Sequence, residues 1–360
     1  MQKKAPFAQK LLKWHQHQNS RQMPWKGEKD PYRIWLSEVI LQQTRVEQGW
    51  AYYEKFVSTF PTVHDLAAAP EQKVFKLWEG LGYYNRCRNL MATAKRIDAE
   101  YKGQFPSTYE EILTLKGIGP YTAAAIASFA YNLPHAVVDG NVTRVLSRYF
   151  GISTPIDTTA GKKEYTAIAQ TLLDIQHPDL YNQAIMDFGA TVCTPRNPQC
   201  ASCVQQPDCQ AWQKGLTGQL PVKEKSIIRR QRCLYYFIVE TPDDKVYIRQ
   251  RDSKDIWAGL YEFVLFETPE PAWPSAILES EFARQLFEGQ TLTGTYISRI
   301  YQQELTHQSL QGQFITVRVR QPLTSPGDYL LVPKSRLKEY AFPKFINAWL
   351  LDPTPAQSLF

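Results

Sequence analysis

Through residues 1–212 apolar positions recur at intervals of three and four. Phe7, Leu11 and Trp14 share one helical face, as do Trp35, Val39 and Ile40, and then Trp50, Tyr53 and Phe56. Pro61, Pro70, Pro106 and Pro134 punctuate these runs and mark helix starts or loops. No alternating strand pattern interrupts them. Near residue 215 the character changes. Gly215–Val222 is turn-rich, and Lys223, Lys225, Arg229, Arg230 and Arg232 follow as a basic stretch. Residues 213–230 therefore read as a linker, either a solvated connector or a phosphate contact. Beyond it, Leu234-Tyr-Tyr-Phe-Ile-Val and Lys245-Val-Tyr-Ile-Arg flank the turn signal Thr241-Pro-Asp-Asp, which predicts a hairpin. Residues 275–287 read as a helix, and 295–305 and 313–320 as two more strands. The pattern predicts a multi-domain chain: an all-α domain over 1–212, the linker, and an α+β domain over 231–360.

Composition narrows the class. The chain has 360 residues, 43% hydrophobic and 21% charged, with a formal net charge of +6. That describes folded domains rather than a disordered chain, and the charge favours a polyanionic partner only mildly. The N-terminus has no uninterrupted apolar run of the secretory kind, and no stretch approaches the roughly 18 apolar residues of a membrane span. These features predict a cytoplasmic protein.

Four of the six cysteines are spaced Cys193-x6-Cys200-x2-Cys203-x5-Cys209. Thiols at that density form a ligand set rather than bridges. A tetrahedral zinc and a [4Fe–4S] cluster both fit; the longer arms suit the bulkier cubane. Arg196 and Lys214 place positive charge nearby. Cys87 and Cys233 are isolated and read as ordinary semi-buried cysteines.

Leu115-Lys-Gly-Ile-Gly-Pro-Tyr-Thr-Ala lies between two helical segments. Gly117 and Gly119 are expected at tight, positive-φ geometry that lets another backbone approach. Pro120 then opens a helix, whose N–H groups at Tyr121 and Thr122 would face an anion such as phosphate.

Two carboxylates complete the set of candidates. Glu38 lies among Trp35, Leu36, Val39, Ile40 and Leu41. If buried, it would gain a raised pKa and serve as a general acid; the flanking residues equally allow an exposed glutamate. Asp139 precedes the helical run Val142, Val145, Leu146, Tyr149 and reads as an N-cap. Backbone N–H groups around a capping carboxylate are expected to keep it ionised, able to face a developing cation.

The hairpin, Val-Asp-Gly-Asn-Val-Thr-Arg-Val and the four-cysteine loop together resemble the helix–hairpin–helix DNA glycosylase superfamily. Trp35-Leu-Ser-Glu-Val-Ile-Leu-Gln-Gln-Thr, Gly80-Leu-Gly-Tyr-Tyr-Asn-Arg and Arg21-Gln-Met-Pro-Trp narrow it to the MutY-type adenine glycosylases. The resemblance implies a monofunctional enzyme that excises adenine opposite 8-oxoguanine or guanine from double-stranded DNA, acting as a monomer with a [4Fe–4S] cluster on the four cysteines. Glu38 matches the acid that protonates adenine, Asp139 the carboxylate facing the oxocarbenium, and Asn141 the residue that orients water or Asp139. Tyr121 stands where bifunctional relatives carry a Schiff-base lysine, although Lys116 is near. Arg21, Trp25 and Gln183 match the adenine pocket; some relatives carry Glu at the last. Gln43, Leu81 and Tyr83 match wedge residues that replace lost stacking when the base is flipped. The resemblance also implies a structural cation near the carbonyls of Leu113, Leu115 and Ile118.

Trp257-Ala-Gly-Leu-Tyr-Glu-Phe is similar to the segment before the Nudix box of nucleotide hydrolases, but the box itself is missing. The resemblance implies a Nudix-like fold that reads 8-oxoguanine through Thr306 and His307; relatives carry Phe-Ser-His where this chain has Leu305-Thr-His. Three other readings compete: an endonuclease III-like lyase on oxidised pyrimidines, a non-catalytic iron–sulfur or zinc DNA-binding protein, and a redox carrier.

Overall fold

The computed structural model describes residues 4–224, 229–252, 255–354 and 357–358. The chain forms two compact units, one from residues 1–68 and 88–226 and one from 69–87 and 227–360. Among the described residues no helix is long and apolar enough to cross a membrane.

The first unit is helical. It contains α1 (Lys4–His17), α2 (Pro31–Leu41), α3 (Val46–Thr59) and α4 (Val63–Ala68). The short α5 (Glu71–Trp78) belongs to the other unit, and α6 (Tyr84–Tyr101) begins there and ends in this one. Then come α7 (Tyr109–Leu113), α8 (Pro120–Tyr131), α9 (Gly140–Phe150), α10 (Thr159–Leu172), α11 (Pro178–Thr191) and α12 (Gln210–Gln213). The three- and four-residue spacing puts Phe7, Leu11, Val145, Leu146, Tyr181 and Phe188 into one core shared by α1, α9, α10 and α11. Capping is explicit. The Asp139 carboxylate accepts the Val142 N–H, and Gly151, at φ 69°, ends α9 in the left-handed region.

The second unit is built on a mixed sheet with β1 (Arg230–Glu240), β2 (Lys245–Gln250), β3 (Tyr261–Glu262), β4 (Val264–Thr268), β5 (Leu292–Ile297), β6 (Tyr301–Glu304), β7 (Gln308–Val319), β8 (Leu330–Pro333) and β9 (Gln357–Ser358). Strand β1, buried from Arg232 to Val239, lies at its centre: parallel to β7, antiparallel to β4 and β2. Its near-continuous apolar run suits a strand covered on both faces. Helices α13 (Pro274–Leu278), α14 (Glu281–Leu286) and α15 (Lys344–Leu350) complete the unit.

Three sequence expectations change in detail. The helix over 275–287 is two helices, because the Ser280 hydroxyl accepts the Ala283 N–H and starts a new one. The run 295–305 is two strands, β5 and β6, separated at 298–300. Part of the expected linker, residues 225–228, lies outside the described residues. Of its basic stretch, Arg232 is buried and bonded to Asp255 and Glu267, so it is not available to a phosphate.

Candidate active site

Asp30 caps α2 by accepting the Tyr32 N–H, and Pro31 takes the first helical position. That register buries Trp35, Leu36 and Ile40 and carries Glu38 inward with them, leaving it 8% exposed. Burial pushes the Glu38 carboxyl up to about 7; the nearby Asp139 adds to the rise, and a hydrogen bond from Tyr121 opposes it. Tyr121, the second residue of α8, is itself held far above the usual phenol range by burial and by both carboxylates. Asp139 arrives from the start of α9. Its Oδ1 accepts the Val142 N–H at 2.7 Å and its Oδ2 accepts Asn141 Nδ2 at 2.6 Å. Sequence reasoning expected this cap to hold Asp139 down. Burial outweighs the cap, and the net direction is upward. Glu38, Tyr121, Asp139 and Asn141 line one cavity of 1010 Å³.

The same cavity is lined by Arg21, Trp25 and Gln183. Trp25 stands edge-on to Tyr53, with ring centroids 5.4 Å apart. A fully buried carboxylate, Asp187, organises the other two. It accepts Arg21 Nη1 at 2.8 Å, Gln183 Nε2 at 3.0 Å and Asn19 Nδ2 at 2.8 Å, and Lys26 Nζ lies 3.3 Å away. A glutamine at 183 thus donates to a carboxylate, which a glutamate could do only when protonated.

Asn141 is fixed from behind. Its Oδ1 accepts Arg144 Nη2 at 2.8 Å, and Arg144 also donates to the Gly189 and Cys193 carbonyls at 2.6 and 2.7 Å. One turn on, Arg148 donates to the Thr194 carbonyl at 2.7 Å and to Cys193 Sγ at 3.5 Å. The four loop cysteines are in no disulfide. Burial, and then the charges of Cys193, Cys209 and Cys200, push Cys203 up to about 11. Four sulfur side chains that interact with one another are the kind of donor set that a zinc ion or an iron–sulfur cluster takes. Among the described residues no three side chains close into a cage for a single metal ion.

In the hairpin, Gly117 has φ 79°, and a Cβ there would lie 2.6 Å from Asn89 Cβ. Gly119 departs from expectation: at φ −94° and ψ 178° it is extended, and its lack of side chain leaves open space before α8. Thr122 is buried and its hydroxyl accepts Gln42 Nε2 at 3.3 Å, so its side chain is not available to a phosphate. Of the carbonyls considered for a cation, that of Leu115 accepts the Ile118 N–H at 3.1 Å.

Of the residues matched to a wedge, Gln43 is exposed with φ 58°. Leu81 and Tyr83 lie in the second unit. Leu81 is buried, whereas Tyr83 is 47% exposed and has φ 48°, a left-handed conformation that bulky residues seldom adopt. Thr306 and His307 form the tip between β6 and β7, and Thr306 Oγ1 lies 3.2 Å from the Tyr83 hydroxyl.

Residues 36–170 match the model of the HhH-GPD superfamily of base excision DNA repair proteins, and 235–351 match the NUDIX domain. The adenine DNA glycosylase of Buchnera aphidicola from Baizongia pistaciae is 36% identical over 72% of this chain and 74% of its own length. The chain belongs to the adenine DNA glycosylase family. The human adenine DNA glycosylase is 41% identical over 59% of this chain and 41% of its own length. Among solved structures, a thermostable thymine-DNA glycosylase has a TM-score of 0.55 at 30% identity, covering 59% of this chain and 98% of that one. A non-covalent endonuclease III–DNA complex has a TM-score of 0.50 at 21% identity, covering 60% and 97%, and shares the fold.

This adenine DNA glycosylase is thus a DNA-repair hydrolase of N-glycosyl bonds. Sequence reasoning missed Asp187 and Arg144, two of the polar residues that hold its pocket together. Asp187 sits four residues after Gln183 on α11 and Arg144 three after Asn141 on α9, so helical spacing from each candidate was the available signal.

Proposed function

We propose that this enzyme removes adenine paired with 8-oxoguanine or guanine, by acid-assisted cleavage at Glu38 and Asp139. The observation that carries the mechanism is Glu38, buried in the same cavity as Asp139, where burial pushes its carboxyl up to about 7. At neutral pH a large fraction of Glu38 is protonated. The flipped adenine takes that proton on N7, and the C1′–N9 bond breaks with its electron pair leaving on the base. The deoxyribosyl cation forms beside Asp139, which stabilises it or bonds C1′ transiently. Water then adds to C1′ and returns a proton to Glu38. Asn141, clamped by Arg144, holds Asp139 Oδ2 and the path of that water. Asp187 sets the Arg21 and Gln183 edge of the pocket against the purine.

Tyr121 offers no amine for a Schiff base, and its hydroxyl is engaged with Glu38. Hydrolysis without strand cleavage follows from this. Cys193, Cys200, Cys203 and Cys209 are the residues that would hold a [4Fe–4S] cluster, whose part is to order the loop that Arg144 and Arg148 grip. Gln43, Tyr83, the N-terminus of α8, Thr306 and His307 are assigned to the DNA.

The test is base release from duplexes containing A:8-oxoguanine or A:G. Wild type should nick the adenine strand only after alkali. Glu38→Gln and Asp139→Asn should bind duplex and release little adenine. Full activity in both removes the mechanism, and efficient borohydride trapping would instead favour a lyase. About four irons per chain is expected; bound zinc in their place would refute the cluster assignment.

A further inference from the structure

We propose that α5 and Glu79 anchor the wedge loop, with Phe75 and Glu79 acting as positioning residues for opposite-base selectivity. This rests on the assignment of Tyr83 to the wedge and of Thr306 and His307 to the opposite base. Residues 69–87 and the tip of β6–β7 belong to the same compact unit, whereas Glu38 and Asp139 belong to the other.

Two kinds of contact fix α5 in its unit. The first is apolar. Val74, Phe75 and Trp78 are buried, and the Phe75 ring covers Gly259: an added Cβ there would sit 2.9 Å from Phe75 Cζ. Gly259 has φ 84°, so the turn resembling the pre-Nudix segment serves here as the seat of an aromatic knob. The second is polar and grips one short backbone stretch. Gln72 Nε2 donates to the Glu339 carbonyl at 3.4 Å, and Lys76 Nζ to the Tyr340 carbonyl at 3.0 Å. Glu79 Oε1 accepts the Phe342 N–H at 2.8 Å, and its Oε2 pairs with Lys76 Nζ at 2.6 Å. Ala341 in turn accepts the Tyr261 N–H at 2.8 Å, which ties the stretch to β3.

The loop begins immediately after Glu79. Gly80 and Gly82 have φ 94° and 75°, and α5 holds the turn between them: Trp78 Nε1 donates to the Gly82 carbonyl at 3.0 Å and the Leu81 N–H donates to the Trp78 carbonyl at 3.1 Å. At the far end the Arg86 guanidinium lies 5.2 Å from the Trp78 ring centroid and 5.3 Å from that of Tyr83. Tyr83 then reaches Thr306 at 3.2 Å. Held from α5 through Trp78 and Glu79, the loop sets whether the Tyr83 ring and the Thr306 tip stand in register. The consequence is specific: releasing Glu79 should blunt the response to 8-oxoguanine while the two carboxylates keep their chemistry.

The experiment is single-turnover base release by the full chain on A:8-oxoguanine and A:G duplexes. In Glu79→Ala the rate on A:8-oxoguanine should fall on the order of tenfold, the factor a hydrogen bond to a charged group supplies, with the A:G rate held. Phe75→Leu should move the same way. Glu79→Gln, which keeps an acceptor for the Phe342 N–H, should restore the wild-type ratio. An unchanged ratio in Glu79→Ala and Phe75→Leu, or equal falls on both duplexes, overturns the proposal and leaves α5 a packing element. Thr306→Ala and His307→Ala are the control. If they leave the ratio at its wild-type value, the assignment of the tip fails, and the selectivity role of the anchor fails with it.

Discussion

Replacing Glu38 with glutamine should abolish base release and yet make the enzyme harder to unfold in alkali. Burial lifts the Glu38 carboxyl from its ordinary 4.5 to about 7. Its folded-state pKa is therefore raised, and the folded state keeps a proton that the unfolded chain has released. The associated stability is fully present below about pH 4.5 and is lost as pH rises through 7. Each pKa unit corresponds to about 1.4 kcal/mol, so the loss approaches about 3 kcal/mol once Glu38 is ionised. A neutral amide does not titrate and escapes it. Between about pH 5 and pH 8 the stability of Glu38→Gln relative to wild type should thus grow by about 2–3 kcal/mol. For a unit of this size that corresponds to about 5–10 °C in Tm. Paired thermal melts of wild type and variant at the two pH values measure the difference, with base release assayed in parallel. An inactive variant whose Tm difference from wild type is the same at both pH values would refute the reasoning, because Glu38 would then not be a buried acid that gives up its proton in this range.

Two further perturbations follow from the pocket and the hairpin. Asp187→Asn leaves Arg21 and Lys26 without their buried counter-charge; urea unfolding should show a loss of about 3 kcal/mol, and KM for the duplex should rise as Arg21 and Gln183 lose their register. Gly117→Ala meets Asn89 at a left-handed backbone position and should cost more than about 1 kcal/mol in a thermal melt; adding Asn89→Ala should relieve it only in part, since it removes the Nδ2 and Cγ at 2.8 and 3.0 Å but keeps the Cβ at 2.6 Å and the left-handed backbone.

Helical periodicity told most where a face was continuously apolar. Phe7, Leu11 and Trp14 are buried as their spacing predicts, and Asp139 caps α9 as its place before Val142 predicts. Glu38 was ambiguous, because its neighbours on both sides are apolar and the helix has no polar face to settle which way it points. Only the packing of α2 against other helices decides it. The net effect on Asp139 was illegible for another reason: a cap is local in sequence, whereas the burial that overrides it is supplied by residues from several helices. Gly119 shows a third limit. Glycine permits positive φ without requiring it, and here the backbone is extended and an added Cβ would meet nothing within 4 Å. The break at Ser280 and the burial of Arg232 depend on one hydroxyl and two distant carboxylates, none of which disturbs the hydropathy pattern.

The excursion of residues 69–87 into the second unit means that the chain changes units three times rather than once. Cutting the polypeptide after residue 224 would therefore not separate two self-sufficient halves. The amino-terminal piece would keep Glu38 and Asp139, the pair proposed to break the bond. It would also keep Tyr83, now deprived of Gly259, the Tyr340–Phe342 backbone and Thr306. Such a fragment would hold the proposed chemistry without the contacts proposed to choose which adenine is cut.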